Sequence, residues 1–254
     1  MRTDKTFLGE AFLHKLIGIF ILLIAMRLLT ITAQEIGFTK NNILKRTFQG
    51  LILGTAVFLV AYSVEIFISV MQGKFQSLEL YVSSYAVDGN IGNQTGISFF
   101  LICIAGNIIN VVMEEGIFRG LFQTILEKKY NFILSAVIAS ILFGLWHLIG
   151  PVRNYYDGIS SFEGMVINIS MLVITSALVG FKFALLTKIT GSLYMAMGDH
   201  FVNNTMVNIL HVVSNKGADE LMFLRITIAQ IISFAIVLIY YLKCRRTKAE
   251  QCHG

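Results

Sequence analysis

Seven stretches of about 20 apolar residues, separated by short polar or charged breaks, run the length of this chain. A helix of that length, at 1.5 Å per residue, matches the roughly 30 Å hydrocarbon thickness of a bilayer. In lipid each backbone N–H and C=O must find a partner within the protein, and a helix does this inside one segment. The repetition therefore predicts an all-α, polytopic transmembrane helical bundle. Spans are expected near residues 13–34, 48–71, 98–126, 132–149, 163–186, 190–212 and 221–242. Composition agrees, since only 14% of the 254 residues are charged and there is one proline, Pro151. A soluble domain carries about 25% charged residues. The first stretch lacks a small-residue cleavage site and contains Arg27, so it reads as a span and not as a signal peptide.

Positive charge sets the expected orientation. Lys40, Lys45 and Arg46, then Lys128 and Lys129, then Lys182 and Lys188, then Lys243, Arg245, Arg246 and Lys248 fall on alternate ends of the spans. The opposite connections carry only Lys74, Arg153 and Lys216. Seven spans with a cytoplasmic C-terminus satisfy that asymmetry. Arg2, Lys5 and Lys15 argue against the external N-terminus this implies. An eighth, re-entrant segment near residues 75–97 would reconcile the two. A multi-pass protein of a prokaryotic plasma membrane is the expectation. The net charge of +5 sits in short clusters between spans and in the tail 243–254, where it meets anionic headgroups, so nucleic acid is not an expected partner. Cys103, Cys244 and Cys252 form neither a C-x-x-C pair nor a disulfide framework. The chain end does not fit the C-a-a-X lipidation pattern, because Gln251 stands where that cysteine belongs.

Ionisable groups inside a membrane are costly unless paired, which makes each one a functional candidate. Three places qualify. In "VVMEEGIFRG", helical spacing puts Asn107, Asn110 and Glu114 on one stripe, while Glu115 and Arg119, four apart, can form an ion pair. In "FGLWHLIG", Phe143 and His147 share a face near the end of the fourth span. In "GDHFVNNTMVNILH", His200, Asn204, Asn208 and His211 line one side of the sixth, with Asp199 and Asn203 off that stripe. Counted from the assigned cytoplasmic ends, Glu114 and His147 lie roughly 20 Å deep and His200 roughly 15 Å. Matched depth on three separate helices is expected of one site buried within the membrane, and not of scattered packing residues. Taken singly, Glu115 with Arg119 reads equally as a pair that orients its helix, and Asn208 and His211 as interhelical glue.

A buried carboxylate beside imidazoles can activate a water molecule, and His200 with Asn204, one turn apart, can aim two donors at an oxyanion. Such an assembly suits amide hydrolysis. Other intramembrane hydrolases leave different traces. The H-E-x-x-H of zinc enzymes is absent. An aspartyl pair would need Y-D and G-x-G-D within spans, whereas Tyr156-Asp157 falls in a loop and "AMGD" lacks the first glycine. No serine lies in a convincing G-x-S-G.

The three ordered motifs Glu114-Glu115-x-x-x-Arg119, Phe143-x-x-x-His147 and His200-x-x-x-Asn204 resemble those of the CAAX prenyl protease type II family, also called CPBP for CAAX proteases and bacteriocin-processing enzymes. The resemblance covers about residues 98–212. It implies a catalytic helical core at 98–242, preceded by transmembrane segments of unassigned role at 1–97 and followed by the basic tail. It further implies an intramembrane glutamate-dependent endopeptidase acting on a membrane-associated or lipidated peptide. Glu114 and His147 would activate water, His200 and Asn204 would stabilise the oxyanion, and Glu115 and Arg119 would orient the site. If a divalent metal is bound, zinc is the expected ion and Glu114, His147 and His200 its ligands. Two other classes compete. A proton-coupled transporter also uses buried Glu, His and Arg, although repeated half-spans broken by glycine or proline are missing. A non-catalytic binding or bacteriocin-immunity protein would keep the fold without the chemistry.

Overall fold

The computed structural model describes residues 13–85 and 91–252, with side chains through residue 246. Arg2, Lys5 and the side chains of Lys248 and Cys252, used above for orientation and the thiol inventory, lie outside the described residues. The chain is mostly helical. Helices α1 (Leu13–Leu28), α2 (Ile43–Met71), α3 (Ile97–Glu115), α4 (Gln123–Glu127), α5 (Phe132–Trp146), α6 (Ile149–Tyr156), α7 (Phe162–Thr190), α8 (Tyr194–Ile209) and α9 (Met222–Cys252) follow in order. A π-helical segment, Gly116–Phe122, joins α3 to α4. Strands β1 (Phe75–Leu80), β2 (Leu210–Ser214) and β3 (Gly217–Ala218) interrupt the helices.

Among the described residues, five helical stretches are long and apolar enough to cross a membrane: Ile43–Met71, Ile97–Glu127, Phe132–Tyr156, Phe162–Thr190 and Met222–Arg246. Helix α8 has 16 residues, about 24 Å of helix, short of the roughly 30 Å core. Helix α1 is described from residue 13, the first described residue, to residue 28. The apolar run behind the sixth span does not stay helical, because Leu210–Ser214 leaves α8 as strand β2. Its partner β1 occupies the region where a re-entrant segment was expected. The expectation of an all-α chain is corrected accordingly: short apolar runs do not separate strand from helix by periodicity.

The chain divides into two compact units. The first holds Asn42–Met113 and Tyr194–Ile236, with the start of α1 through Ile21. Here α2 packs on α8 across glycines. A Cβ at Gly54 would stand 2.8 Å from Val202 Cβ, and one at Gly198 would collide with the Thr47 carbonyl. Small residues let helix backbones approach where lipid gives no hydrophobic drive between them. Val57, Phe58, Ala61 and Tyr62 of α2 then form a core with Val202, Val212 and Ala229. Strand β1 runs antiparallel to β2, with Leu80 opposite Leu210 and Glu79 opposite His211, and β2 pairs in turn with β3. Open sheet edges are not tolerated in hydrocarbon, so this sheet belongs at an aqueous or interfacial level.

A buried charged network braces the same unit. Arg225, fully buried, donates to Glu65 at 2.7 Å and to Asp219 at 2.9 Å, with its guanidinium 4.3 Å from the Tyr62 ring centroid. His211 Nδ1 lies 2.5 Å from Asp219 Oδ2 and Nε2 lies 3.1 Å from the Tyr81 carbonyl, and the imidazole stacks on the Tyr81 ring at 3.9 Å. His211 is therefore a strand residue that ties β2 to the start of α9, and not the interhelical contact the sequence suggested.

The second unit holds Leu22–Asn41, Glu114–Leu193 and the chain from Val237 onward. Asn131 caps α5 by accepting from Leu134 N–H at 3.0 Å, and Ser161 caps α7 by accepting from Gly164 N–H at 3.0 Å. Gly191 ends α7 in the left-handed conformation at φ 66°. Helices α5 and α7 pack closely because a Cβ at Gly144 would strike the Val173 carbonyl. Helix α5 stops at Trp146, where His147 N–H turns to the Gly144 carbonyl and Leu148 N–H to that of Leu145, and Pro151 in the first turn of α6 has no N–H to offer the His147 carbonyl.

Two outcomes test the network of the first unit. Truncation of Arg225 to methionine leaves Glu65 buried without its counter-charge and should cost about 3–5 kcal/mol in thermal or denaturant unfolding. Asp219 is held below the ordinary aspartate value: burial pushes it up, but the His211 hydrogen bond and the Arg225 guanidinium outweigh burial. With a lowered folded-state pKa, the carboxylate stabilises fully above its unfolded value near 3.8 and loses that effect as pH falls through the folded value. The stability gap between the parent and Asp219→Asn should thus be widest at neutral pH and close below about pH 4. A gap independent of pH would contradict this assignment.

Candidate active site

Glu114 and Glu115 close α3, and the chain then adopts π geometry at Gly116–Phe122, a form of helix found often at functional sites. Two glycines let this segment press on the residues after α1. A Cβ at Gly116 would stand 2.7 Å from Leu22 Cδ2, and one at Gly120 3.0 Å from the Ile36 carbonyl. Both glutamates are buried, with 3% and 0% of their surface exposed. Their partners differ. Glu115 Oε2 lies 3.4 Å from Arg119 Nε, which also donates to the Gly180 carbonyl at 3.3 Å. The guanidinium sits 3.9 Å from the Phe143 ring centroid and 5.3 Å from that of Phe183. Such desolvated cation–π contacts contribute about 2 kcal/mol. Gly180 makes room for it, since a Cβ there would stand 2.8 Å from Arg119 Nη2.

Glu114 takes a neutral donor: the indole Nε1 of Trp146 donates to its Oε1 at 3.2 Å. That bond ties the carboxylate to the end of α5, where His147 follows Trp146 as the helix C-cap. His147 Nδ1 lies 2.9 Å from the carbonyl of Phe143. A carbonyl only accepts, so Nδ1 carries the proton in this bond. The Phe143 ring meets the imidazole edge to face at 4.9 Å. One aromatic side chain thus touches both Arg119 and His147.

In the first unit, His200 and Asn204 stand one turn apart on α8, buried to 5% and 2% exposure. Asn204 Oδ1 accepts from Asn203 Nδ2 at 3.1 Å, and Asn203 Oδ1 accepts from Gln230 Nε2 at 2.8 Å. Asn204 Nδ2 is buried with no hydrogen-bond partner among the described residues. Asn208 Oδ1 accepts from Ser84 Oγ at 3.1 Å.

Residues 96–206 match the family model described as Rce1-like, type II CAAX prenyl endopeptidase. Over this region the chain belongs to the CPBP family. No curated protein matches the chain. The CPBP match spans all three sequence motifs and begins at the residue before α3, leaving the sheet strands and the Arg225 network outside it. The family is one of proteases, and the five apolar helices place this member in a membrane as an integral, multi-pass protein.

Of the six site residues expected from the CPBP motifs, the second unit gathers Glu114, Glu115, Arg119 and His147, and the first carries His200 and Asn204 side by side on α8. Sequence reasoning missed Trp146, although the only tryptophan in the chain beside a buried carboxylate offers an N–H that needs an acceptor. It also missed Gln230, for which no local signal exists. Among the described residues, no group of three or more His, Cys, Asp or Glu side chains can hold a metal ion.

The ion pair and the α8 amide differ in what their loss should do. Arg119→Ala strands Glu115 in the interior and should cost about 3–5 kcal/mol. Asn204→Ala removes one hydrogen bond and should cost about 1 kcal/mol. Equal thermal shifts for the two variants in detergent would contradict the orienting role of Arg119.

Proposed function

We propose that the chain is an intramembrane endopeptidase that hydrolyses a peptide bond of a membrane-associated or lipidated peptide with a water activated by Glu114 and His147. The observation that carries this reading is the pair of tethers at the end of α5. Trp146 holds one oxygen of Glu114, and Phe143 holds Nδ1 of His147. Both tethers converge on the last turn of α5, so the carboxylate and the imidazole are oriented by neighbouring residues. Glu114 takes a proton from water as oxygen attacks the scissile carbonyl, and His147 Nε2 accepts a hydrogen bond that orients the same water. Collapse of the tetrahedral intermediate returns the proton to the leaving amine. The oxyanion role of His200 and Asn204 rests on motif order and on the unpartnered Asn204 N–H. Glu115 and Arg119 fix the ring of Phe143 and act on the reaction only through it. With the basic tail on the cytoplasmic side, as the charge asymmetry favours, the protease would act on peptides that reach the membrane from that side.

The full-length protein in liposomes, offered a quenched fluorogenic peptide with a farnesylated cysteine three residues from its end, tests the reading. Glu114→Gln should lower kcat by about 10³-fold while thermal unfolding stays unchanged, because a general base contributes 10²–10⁴-fold. Undiminished cleavage by that variant would overturn the assignment. Exhaustive EDTA treatment should leave the parent's cleavage rate unaltered. Loss of activity restored by zinc would instead show a metal-dependent site.

A further inference from the structure

The six motif residues leave open what decides which way the Asn204 amide faces. A buried carboxamide has two orientations related by a half-turn, nearly equal in shape and opposite in chemistry. In one, Asn204 presents N–H groups to a developing oxyanion and stabilises it. In the other it presents oxygen and repels it.

The first unit supplies the deciding contacts. Gln230 on α9 donates from Nε2 to Asn203 Oδ1 at 2.8 Å, which couples the orientation of the Asn203 amide to that of Gln230. Asn203 must then point its own Nδ2 the other way, and it donates to Asn204 Oδ1 at 3.1 Å. Asn204 Oδ1 is held by this bond, and Nδ2 is left as the terminal donor, buried and without a hydrogen-bond partner among the described residues. The three amides run in one direction, each donating to the next. Reversing the last would set two N–H groups against each other at the Asn203 contact. Amides aligned in series also polarise one another, which strengthens the terminal donor.

We infer that Asn203 and Gln230 are positioning residues of the proposed protease: a relay of amide hydrogen bonds, Gln230 to Asn203 to Asn204, holds the Asn204 N–H group as oxyanion donor. The inference rests on the reading of Asn204 as that donor. Asn203 lies off the His200–Asn204 stripe and Gln230 lies outside the family match, so neither belongs to the three motifs. The bond between neighbours on α8 is made by side chains reaching along the helix, and α9 provides the start of the relay.

The test uses the full chain in liposomes and the farnesylated fluorogenic peptide. Asn204→Ala should lower kcat by about 10²-fold, the effect of losing one oxyanion donor. Asn203→Leu and Gln230→Met, which keep bulk and lose the amide, should each lower kcat about tenfold with KM within twofold. Gln230→Lys keeps a donor toward Asn203 and should retain kcat within about threefold, a rescue that simple packing would not produce. Adding Asn203→Leu to Asn204→Ala should cause no further loss, because Asn203 acts through Asn204. Thermal unfolding confirms that each variant is folded. If Asn204→Ala leaves kcat unchanged, the oxyanion reading itself is wrong. If Asn204→Ala lowers kcat but Asn203→Leu and Gln230→Met do not, or if the losses multiply in the double variant, the donor role stands and the relay is wrong.

Discussion

The geometry of the second unit depends on burying one guanidinium. Arg119 has no exposure to offset its desolvation, which costs several kcal/mol before any partner is counted. Glu115 supplies the charge, the Gly180 carbonyl an acceptor, and the rings of Phe143 and Phe183 a polarisable wall. Each requirement constrains a different element. The acid must sit at the end of α3, position 180 of α7 must lack a Cβ, and α5 must turn Phe143 inward. Since the same Phe143 presents its carbonyl to His147, the demand made by the charge reaches the imidazole at the end of α5. The motifs Glu-x-x-x-Arg and Phe-x-x-x-His are thus parts of one packing problem.

The first unit buries a second arginine and solves the problem otherwise. Arg225 is met by two carboxylates, Glu65 and Asp219, and Asp219 by His211 in turn. The participants come from α2, β2, the turn before α9 and α9 itself, so the network staples the sheet to two helices. A carboxylate locked between charged partners has little freedom to exchange a proton during a reaction. Glu114, by contrast, accepts from a neutral donor, the indole N–H of Trp146. The two buried acidic clusters thus differ in the partners that hold them, two carboxylates on one guanidinium in the first unit and an indole on Glu114 in the second.

What the sequence disclosed followed from local spacing. Glu115 and Arg119 pair as four-residue spacing predicts, although the segment between them is π-helical, because a long arginine reaches across the altered turn. His200 and Asn204 share a face of α8 for the same reason. What stayed hidden depends on distant partners. Glu65 and Arg225 lie 160 residues apart, so no local spacing links them. β1 and β2 looked like fragments of membrane segments because each is short and apolar, and only their pairing reveals strands. Gln230 gains meaning only from Asn203, 27 residues earlier on another helix. Of the seven expected spans, five come out as helices long and apolar enough to cross a membrane among the described residues, and at the sixth the apolar run outlasts helix α8.

The spacing Phe143-x-x-x-His147 has a further physical basis in the way α5 ends. In a continuing α-helix the carbonyl of Phe143 would accept from the backbone N–H of His147. The last turn tightens instead, and His147 N–H goes to Gly144 at 3.1 Å while Leu148 N–H goes to Leu145 at 3.1 Å. The Phe143 carbonyl is thereby released from the main-chain ladder, and the imidazole Nδ1 of His147 takes it at 2.9 Å. Pro151 reinforces the break by removing the donor that would have carried the helix past His147. A histidine one residue earlier would meet a carbonyl already engaged in the ladder, and its ring would have no fixed acceptor. The motif spacing, the tightened turn and the single proline therefore converge on one requirement: an imidazole whose proton is placed on Nδ1, so that Nε2 remains the basic atom.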